Sequence, residues 1–424
     1  MAELAIEHIA RIEGHGNIAV KVEEGRVLEV RMDVVEPARF FEAMVVGRRY
    51  DDAPLITSRI CGICSPNHAL TSIKAVEAAL GVEVSERTTM LRRLLVYGSF
   101  LQNHATHLYV LAAPDFVGLD SVFPLAATHP DVVERALKIK ALGNRLTTLV
   151  GGRPVHPVTA VVGGFTAEPK AADLASFRDQ LLEVASDVLA TVDLFASFAL
   201  PDFASAGDML ALVESGDYAI YGGDIESLDR GWRRPVSEYR DVIVETSAGA
   251  GHGNAKHSRT TADGRTFMVG ALPRVNLSGD RLTSGAKAAL AKLGLAMPSR
   301  NPFHMNLCQA VELVDAAERC ADYIGRLLDM GGSSKPVAVQ LREGWGAGAT
   351  EAPRGTLYHS YAIDASGLIT SGDVITPTAQ NLANLEADMR AFAPTVADRP
   401  PKEFELLIEQ LVRSYDPCLS CSVH

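Results

Sequence analysis

The sequence predicts an α+β fold that is predominantly helical, with a central bundle of long helices, an N-terminal β-hairpin region and small peripheral sheets. Three observations carry this. Apolar residues recur at three- and four-residue spacings over several long stretches; residues 3–35 instead alternate apolar and polar; and residues 216–285 are rich in glycine, serine and charge around short β-like runs. At 424 residues, 47% apolar and 22% charged, the chain can bury one large core. No internal repeat, low-complexity tract or long linker divides it, so 1–424 reads as a single domain with 216–285 as a peripheral α+β insertion.

In residues 3–35, Ile18, Val20 and Val22, then Val27, Val30 and Met32, alternate around Glu24-Gly25 as a twisted hairpin would. Farther on, Ser65 can cap a helix with Pro66 at its first position, and Ala69, Ile73, Val76 and Ala79 form an apolar stripe ending at Gly81. Cys64 then stands just ahead of a helix N-terminus, whose partial positive charge favours thiolate over thiol. Over 86–112, Leu91, Leu94, Leu95, Leu101, Leu108 and Leu111 keep helical spacing until Pro114. Further helices are predicted over 131–150, 171–199, 307–330 and 403–415, several of them stopped by Gly-Gly or proline. Within 216–285, residues 241–244 and 267–270 read as short strands.

Forty Lys and Arg against 52 Asp and Glu leave a net charge of −12, which argues against nucleic acid or an anionic membrane as the main partner. No run approaches the ~20 apolar residues of a membrane span, and the first residues mix charges through their apolar positions, unlike an export signal. A cytoplasmic protein acting on a small substrate or another protein is expected. Six cysteines are too few for a disulfide scaffold. Four of them form two CxxC pairs, Cys61/Cys64 and Cys418/Cys421, at opposite ends of the chain. No local finger loop can join pairs so far apart, so any shared metal site is a product of the whole fold. Cys308 and Cys320 lie in an apolar helical stretch and read as buried small hydrophobes. Zinc or an iron-sulfur cluster is the default for four thiolates, but Arg59 and His68 flank the first pair and Asp416 and His424 the second. Structural zinc sites rarely gather so many acid-base groups.

Arg59-Ile60-Cys61-Gly62-Ile63-Cys64 with His68, and Asp416-Pro417-Cys418 with Cys421 and His424, resemble the two signature motifs of the nickel-iron hydrogenase large (catalytic) subunit. The likeness continues through Arg11-Ile12-Glu13-Gly14-His15, Arg39-Phe40-Phe41-Glu42, Gly151-Gly152-Arg153-Pro154-Val155-His156-Pro157, Glu351-Ala352-Pro353-Arg354-Gly355 and Thr376-Pro377-Thr378. The resemblance implies reversible heterolytic cleavage of dihydrogen, with nickel, an iron bearing carbonyl and cyanide ligands, and magnesium as cofactors. It implies that all four cysteines bind nickel, that Cys64 and Cys421 bridge to iron, and that terminal Cys418 receives the proton. Glu13 would pass that proton on as a carboxyl in a dry pocket, where burial raises a carboxyl pKa. Arg354 would overhang the metals, paired with Asp115 and Asp416. His68 would donate to a bridging sulfur, while Pro353, Pro377 and Thr378 would wall the pocket, the Thr378 hydroxyl facing the cyanides. Glu42, a main-chain carbonyl near Val374, and His424 would hold magnesium. Family members are typically made with an extension removed after this histidine, so an end at His424 resembles a mature form or a lineage without the extension.

Only Cys308 and Cys320 remain, too few for a relay of iron-sulfur clusters. A small subunit carrying such clusters is therefore expected to cover the site, with further electron-transfer subunits behind it. The chain's shortness, Arg39-Phe40-Phe41-Glu42 and Asn301-Pro302-Phe303-His304 resemble the cytoplasmic, bidirectional or cofactor-coupled group; the energy-converting membrane-associated group is the alternative within the enzyme class. A non-catalytic subunit with a structural four-cysteine zinc site would leave Glu13, Arg354 and Asp416 without a role. A quinone-pocket subunit of a complex I-like assembly would lack the metal cysteines. Gly344-Trp345-Gly346-Ala347-Gly348 lacks dinucleotide-binding spacing and a preceding strand. His104 reads as a core histidine, and His252 and His257 as solvated.

Overall fold

In the computed structural model, which describes residues 2–249 and 252–424, the N-terminal alternation becomes an antiparallel sheet of Ala2–Ile6, Gly16–Glu23 and Arg26–Val34. Ile18 and Val20 pair across to Met32 and Val30, all four buried on one face. The turn between these strands falls at Glu24 and Gly25, both with positive φ. Ala2–Ile6 adds a third strand to the predicted hairpin.

The helices follow the apolar stripes, with shifts at their ends. Ser65–Leu80 begins on Ser65 itself, Cys64 being the residue that caps it, and left-handed Gly81 closes it. The leucine-rich helix runs Glu86–Thr106, and beyond it a wider turn over His107–Ala112 carries the chain through Pro114 to Phe116 rather than stopping there. Pro130–Gly151 crosses that helix where two glycines meet: a Cβ on Gly143 would stand 2.7 Å from the Gly98 carbonyl oxygen. The helix predicted over 171–199 is two, Ala171–Glu183 and Ala185–Ala196, broken at Val184. His304–Asp329 packs on both and on Glu86–Thr106. Together these helices enclose the main apolar core, in which Leu94, Phe100, Leu146, Phe195 and Leu313 are fully buried.

Gly344–Ala352, Gly355–Ile363 and Ile369–Ile375 form an antiparallel sheet that the helical and alternating patterns did not reveal. Its first strand lies directly on Ser65–Leu80. A Cβ on Gly346 would come within 2.2 Å of the Ala79 backbone nitrogen, and Gly344 and Gly348 are as tight. The glycine-rich run is thus a strand packed on a helix. Pro377–Val396 and Pro401–Ser414 then lead to the C-terminal cysteines.

Residues 216–285 are α+β as expected: Ile243–Ser247 pairs with Lys256–Thr260, and Phe267–Met268 runs parallel to Asp208–Val213. The stretch is not peripheral throughout, because Lys256 and Arg274 reach the region where the ends of the chain meet. Nor is the histidine pair in it solvated. His257 is buried, and desolvation pushes its imidazole down to about 4; His252 lies 3.2 Å from Glu386. His104 is a core histidine, 2.9 Å from Glu312. No described helix is long and apolar enough to cross a membrane.

Candidate metal centre

The first CxxC follows the turn Ser58–Ile60 and precedes the helix Ser65–Leu80. The second follows Pro401–Ser414 and precedes the terminal turn Leu419–Val423. Folding brings them together: all four cysteines are at most 4% exposed, and Cys61 Sγ lies 3.7 Å from Cys418 Sγ. The sulfurs of Cys61, Cys418 and Cys421 fall within 4.8 Å of one another, as do those of Cys64 and Cys421 with a ring nitrogen of His68. Cys418 and Cys421 are bonded through sulfur, whereas Cys61 and Cys64 are free thiols. Sulfurs close enough to bond each other are close enough to chelate one ion, and once that pair is reduced the set offers four thiolates to soft metals. Within the first pair a hydrogen bond from Cys64 holds the Cys61 thiol low, while the same bond and burial push Cys64 well up. Sulfur-to-sulfur bonding thus outweighs the helix end that was expected to favour a Cys64 thiolate.

Arg354 enters from the turn between Gly344–Ala352 and Gly355–Ile363. Its Nε donates to Asp416 Oδ1 at 2.9 Å and to the Asp416 carbonyl at 2.8 Å, and its buried Nη1 has no hydrogen-bond partner among the described residues. Burial works against its charge, but Asp416, Cys61 and Cys64 more than offset that and hold its pKa above the ordinary value. Burial likewise opposes the Asp416 carboxylate; Arg354 and His107 prevail and keep it below the usual range. Asn103 and Gln309 donate to its other oxygen at 2.8 and 3.3 Å. Asp115, expected to share Arg354, does not. The chain continues helically through Pro114, so Asp115 faces Pro401–Ser414, accepts from Arg413 at 2.9 Å with both oxygens, and pairs with Arg11.

The turn that carries Arg354 is held by Arg274, which no sequence signal marked. From helix Ala271–Ser278 it donates to Glu312 at 2.6 and 2.8 Å, to Glu351 at 3.0 Å, and to the carbonyls of Ala352 and Pro353 at 3.0 and 2.9 Å. All five guanidinium N–H groups are thereby used. Below the turn, Thr378, next to helix-opening Pro377, accepts the Cys418 N–H at 2.9 Å.

Glu13 runs beside Cys418 like a paired strand. Its carbonyl accepts the Leu419 N–H at 2.9 Å, and its Oε1 accepts from Ser420 Oγ at 2.6 Å. Ser420 Oγ in turn lies 3.9 Å from Cys418 Sγ. Glu13 is half-buried and lines an open cavity of about 480 Å³ with Arg39, Arg59 and His156, not the dry pocket expected. His68 is fully buried, and desolvation pushes its imidazole down to about 3.

Glu42, Val374 and His424 also come together. Val374 N–H donates to Glu42 Oε1 at 3.1 Å, and His424 Nε2 lies 3.8 Å from that oxygen. At their centre is the Lys256 ammonium, 3.1 Å from Glu42, 3.3 Å from Glu245 and 3.0 Å from His424. Two carboxylates and an imidazole around one cation make a cation site in chemical character. Lys256 and Glu245 escaped sequence reasoning because their stretch read as periphery.

Residues 39–132 and 317–424 match the profile of a family described as nickel-dependent hydrogenase, and residues 3–36 match one described as HoxL-like. The alpha subunit of sulfhydrogenase 1 from Pyrococcus furiosus is 37% identical over 423 residues, covering 99% of this chain and 97% of its own. The F420-non-reducing hydrogenase of Methanothermobacter marburgensis contributes a second relative, 31% identical over 462 residues, covering 100% of this chain and 95% of its own. A solved NAD+-reducing NiFe hydrogenase in its H2-reduced state superposes with a TM-score of 0.88 at 27% identity, over 100% of both chains. With likeness of that degree running from end to end, the chain belongs to the nickel-dependent hydrogenase family.

Proposed function

We propose that Cys61, Cys64, Cys418 and Cys421 hold nickel, with Cys64 and Cys421 shared by an iron that carries carbonyl and cyanide ligands, and that Cys418, Arg354, Asp416 and Glu13 conduct the proton chemistry of dihydrogen cleavage. The observation that carries this is the 3.7 Å approach of Cys61 and Cys418 sulfurs, near a buried arginine whose Nη1 has no hydrogen-bond partner among the described residues. Bound there, nickel and iron supply a redox-active Lewis-acidic position at which the H–H bond splits heterolytically. Arg354, fixed through Nε by Asp416, keeps a permanent positive charge directed at the reacting hydrogen. Cys418 takes up the proton, and Ser420 Oγ and Glu13 lead it to the open cavity. Each dihydrogen yields two protons and two electrons. Thr378 spends its oxygen on the Cys418 N–H and keeps its hydroxyl proton for a cyanide, beside Pro353 and Pro377.

The electrons need another chain. Cys308 and Cys320, the two cysteines left over, are sealed in separate apolar clusters and cannot build a cluster relay. This supports an iron-sulfur small subunit docked over the cavity that Glu13 lines, with further electron-transfer subunits. The relatives named for NAD and for independence of F420 support a cytoplasmic, cofactor-coupled enzyme. Glu42, the Val374 carbonyl and His424 would hold magnesium, in competition with Lys256 for Glu42 and His424. Residues 1–424 act as one large-subunit unit, since the centre draws on both ends and on the 216–285 stretch.

The test is metal analysis and hydrogen-dependent dye reduction on the purified complex, in the parent and with Cys→Ser at each of the four positions. Nickel, iron and activity are expected in the parent and lost in every variant; near-normal turnover in any of them would overturn the ligand assignment.

A further inference from the structure

We infer that His359 is a positioning residue of the centre: with Tyr361 and Ser72 it fixes His68 in the tautomer whose Nε2–H points at the sulfurs of Cys64 and Cys421. The inference rests on reading those sulfurs as metal-bridging thiolates.

His68 and Ser72 lie one turn apart on the helix Ser65–Leu80, and His359 and Tyr361 lie two residues apart on one face of the strand Gly355–Ile363. All four are fully buried. Helix and strand form one continuous chain of contacts. Ser72 Oγ is 3.0 Å from the Tyr361 hydroxyl, that hydroxyl is 2.8 Å from His359 Nδ1, and His359 Nε2 is 3.2 Å from His68 Nδ1. The chain stops at His68 Nε2, a buried atom with no hydrogen-bond partner among the described residues. Since Nδ1 faces His359, Nε2 is the nitrogen left for the two sulfurs, which lie within 4.8 Å of the ring.

A chain of two neutral imidazoles can run in either of two directions. In one, Ser72 donates to Tyr361, Tyr361 to His359 Nδ1, His359 Nε2–H to His68 Nδ1, and His68 Nε2–H to sulfur. In the other every donor reverses, and a bare lone pair on Nε2 faces two thiolates. Inside a low-dielectric core the first arrangement gains a charge-assisted hydrogen bond, while the second sets lone pair against negative charge and leaves both sulfurs without a donor. His359 touches neither substrate nor metal. Its effect passes through His68: a hydrogen bond to a bridging thiolate draws electron density from the sulfur and makes the metals easier to reduce.

The experiment is infrared spectroscopy and redox titration of the loaded complex in the parent, His359→Gln and His359→Leu. Glutamine can still offer an N–H to His68 Nδ1; leucine cannot. The leucine variant is expected to keep its nickel and iron, to shift the carbonyl and cyanide bands to lower frequency and to lower the midpoint potential, with glutamine restoring most of both shifts. Parent-like bands and potential in His359→Leu, or equal shifts in the two variants, would overturn the inference. If His359→Leu does not assemble, Tyr361→Phe removes the hydroxyl that orients His359 while keeping its ring, and an absence of any band shift there is equally decisive. A parent complex with no such bands would overturn the reading of the cysteines themselves, and this inference with it.

Discussion

Glu13 accepts a 2.6 Å hydrogen bond from Ser420, 407 residues away in the chain. That bond is the polar step between the Cys418 sulfur and the cavity that opens on the surface. Glu13→Gln removes the titrating group but keeps an acceptor for Ser420, so nickel and iron should stay bound while proton/deuterium exchange falls about 100-fold or more. Ser420→Ala should act in the same direction. Exchange at the parent rate in Glu13→Gln, with metals present, would remove Glu13 from the exit route.

Arg354 holds Asp416 through a single nitrogen that bonds both a carboxylate oxygen and a backbone carbonyl. Lysine keeps the charge but has no planar fork to fix its direction. Arg354→Lys should therefore cut turnover ~100-fold or more with metal content unchanged, measured as hydrogen-dependent dye reduction per nickel. An unchanged rate would show that the guanidinium takes no part.

Arg274 is the only cation bonded to the buried Glu312 and Glu351 carboxylates among the described residues, and it ties down the two carbonyls ahead of Arg354. Arg274→Met strands both carboxylates and should cost about 3–5 kcal/mol of stability, read from denaturant midpoints. A loss below about 1 kcal/mol would mean that those carboxylates find other partners.

Asp388 accepts from Ser205 at 2.8 Å and from Tyr415, and burial pushes its carboxyl up to about 6. A carboxyl raised on folding binds its proton more tightly in the native state. Its contribution to stability is therefore full below the unfolded pKa and is lost as pH rises through about 6. Asp388→Asn cannot ionise, so its stability relative to the parent should improve by about 2–3 kcal/mol between roughly pH 4 and pH 7. Denaturant midpoints at the two pH values check this, and a constant difference would contradict it.

The cysteine pairs, Arg354 and Glu13 were legible because each sits in a short contiguous motif whose residue types carry the chemistry. Arg274, His359 and Lys256 were not, because each acts through bonds to residues far away in sequence and leaves no local period. The sheet at 344–375 escaped for a different reason. Gly355–Ile363 is buried on both faces and shows no alternation, and the strand before it carries glycine where its neighbour is helix backbone. Asp115 was misassigned because Pro114 was read as a stop, whereas a wide turn carries the helix past it.

The most direct test of the central claim is infrared spectroscopy of the purified complex in the region where metal-bound carbonyl and cyanide absorb, alongside its metal content. The account expects nickel and iron in equal amounts and carbonyl and cyanide bands that shift under dihydrogen. A sample with one zinc per chain and no such bands would make this a structural-metal protein and contradict the account.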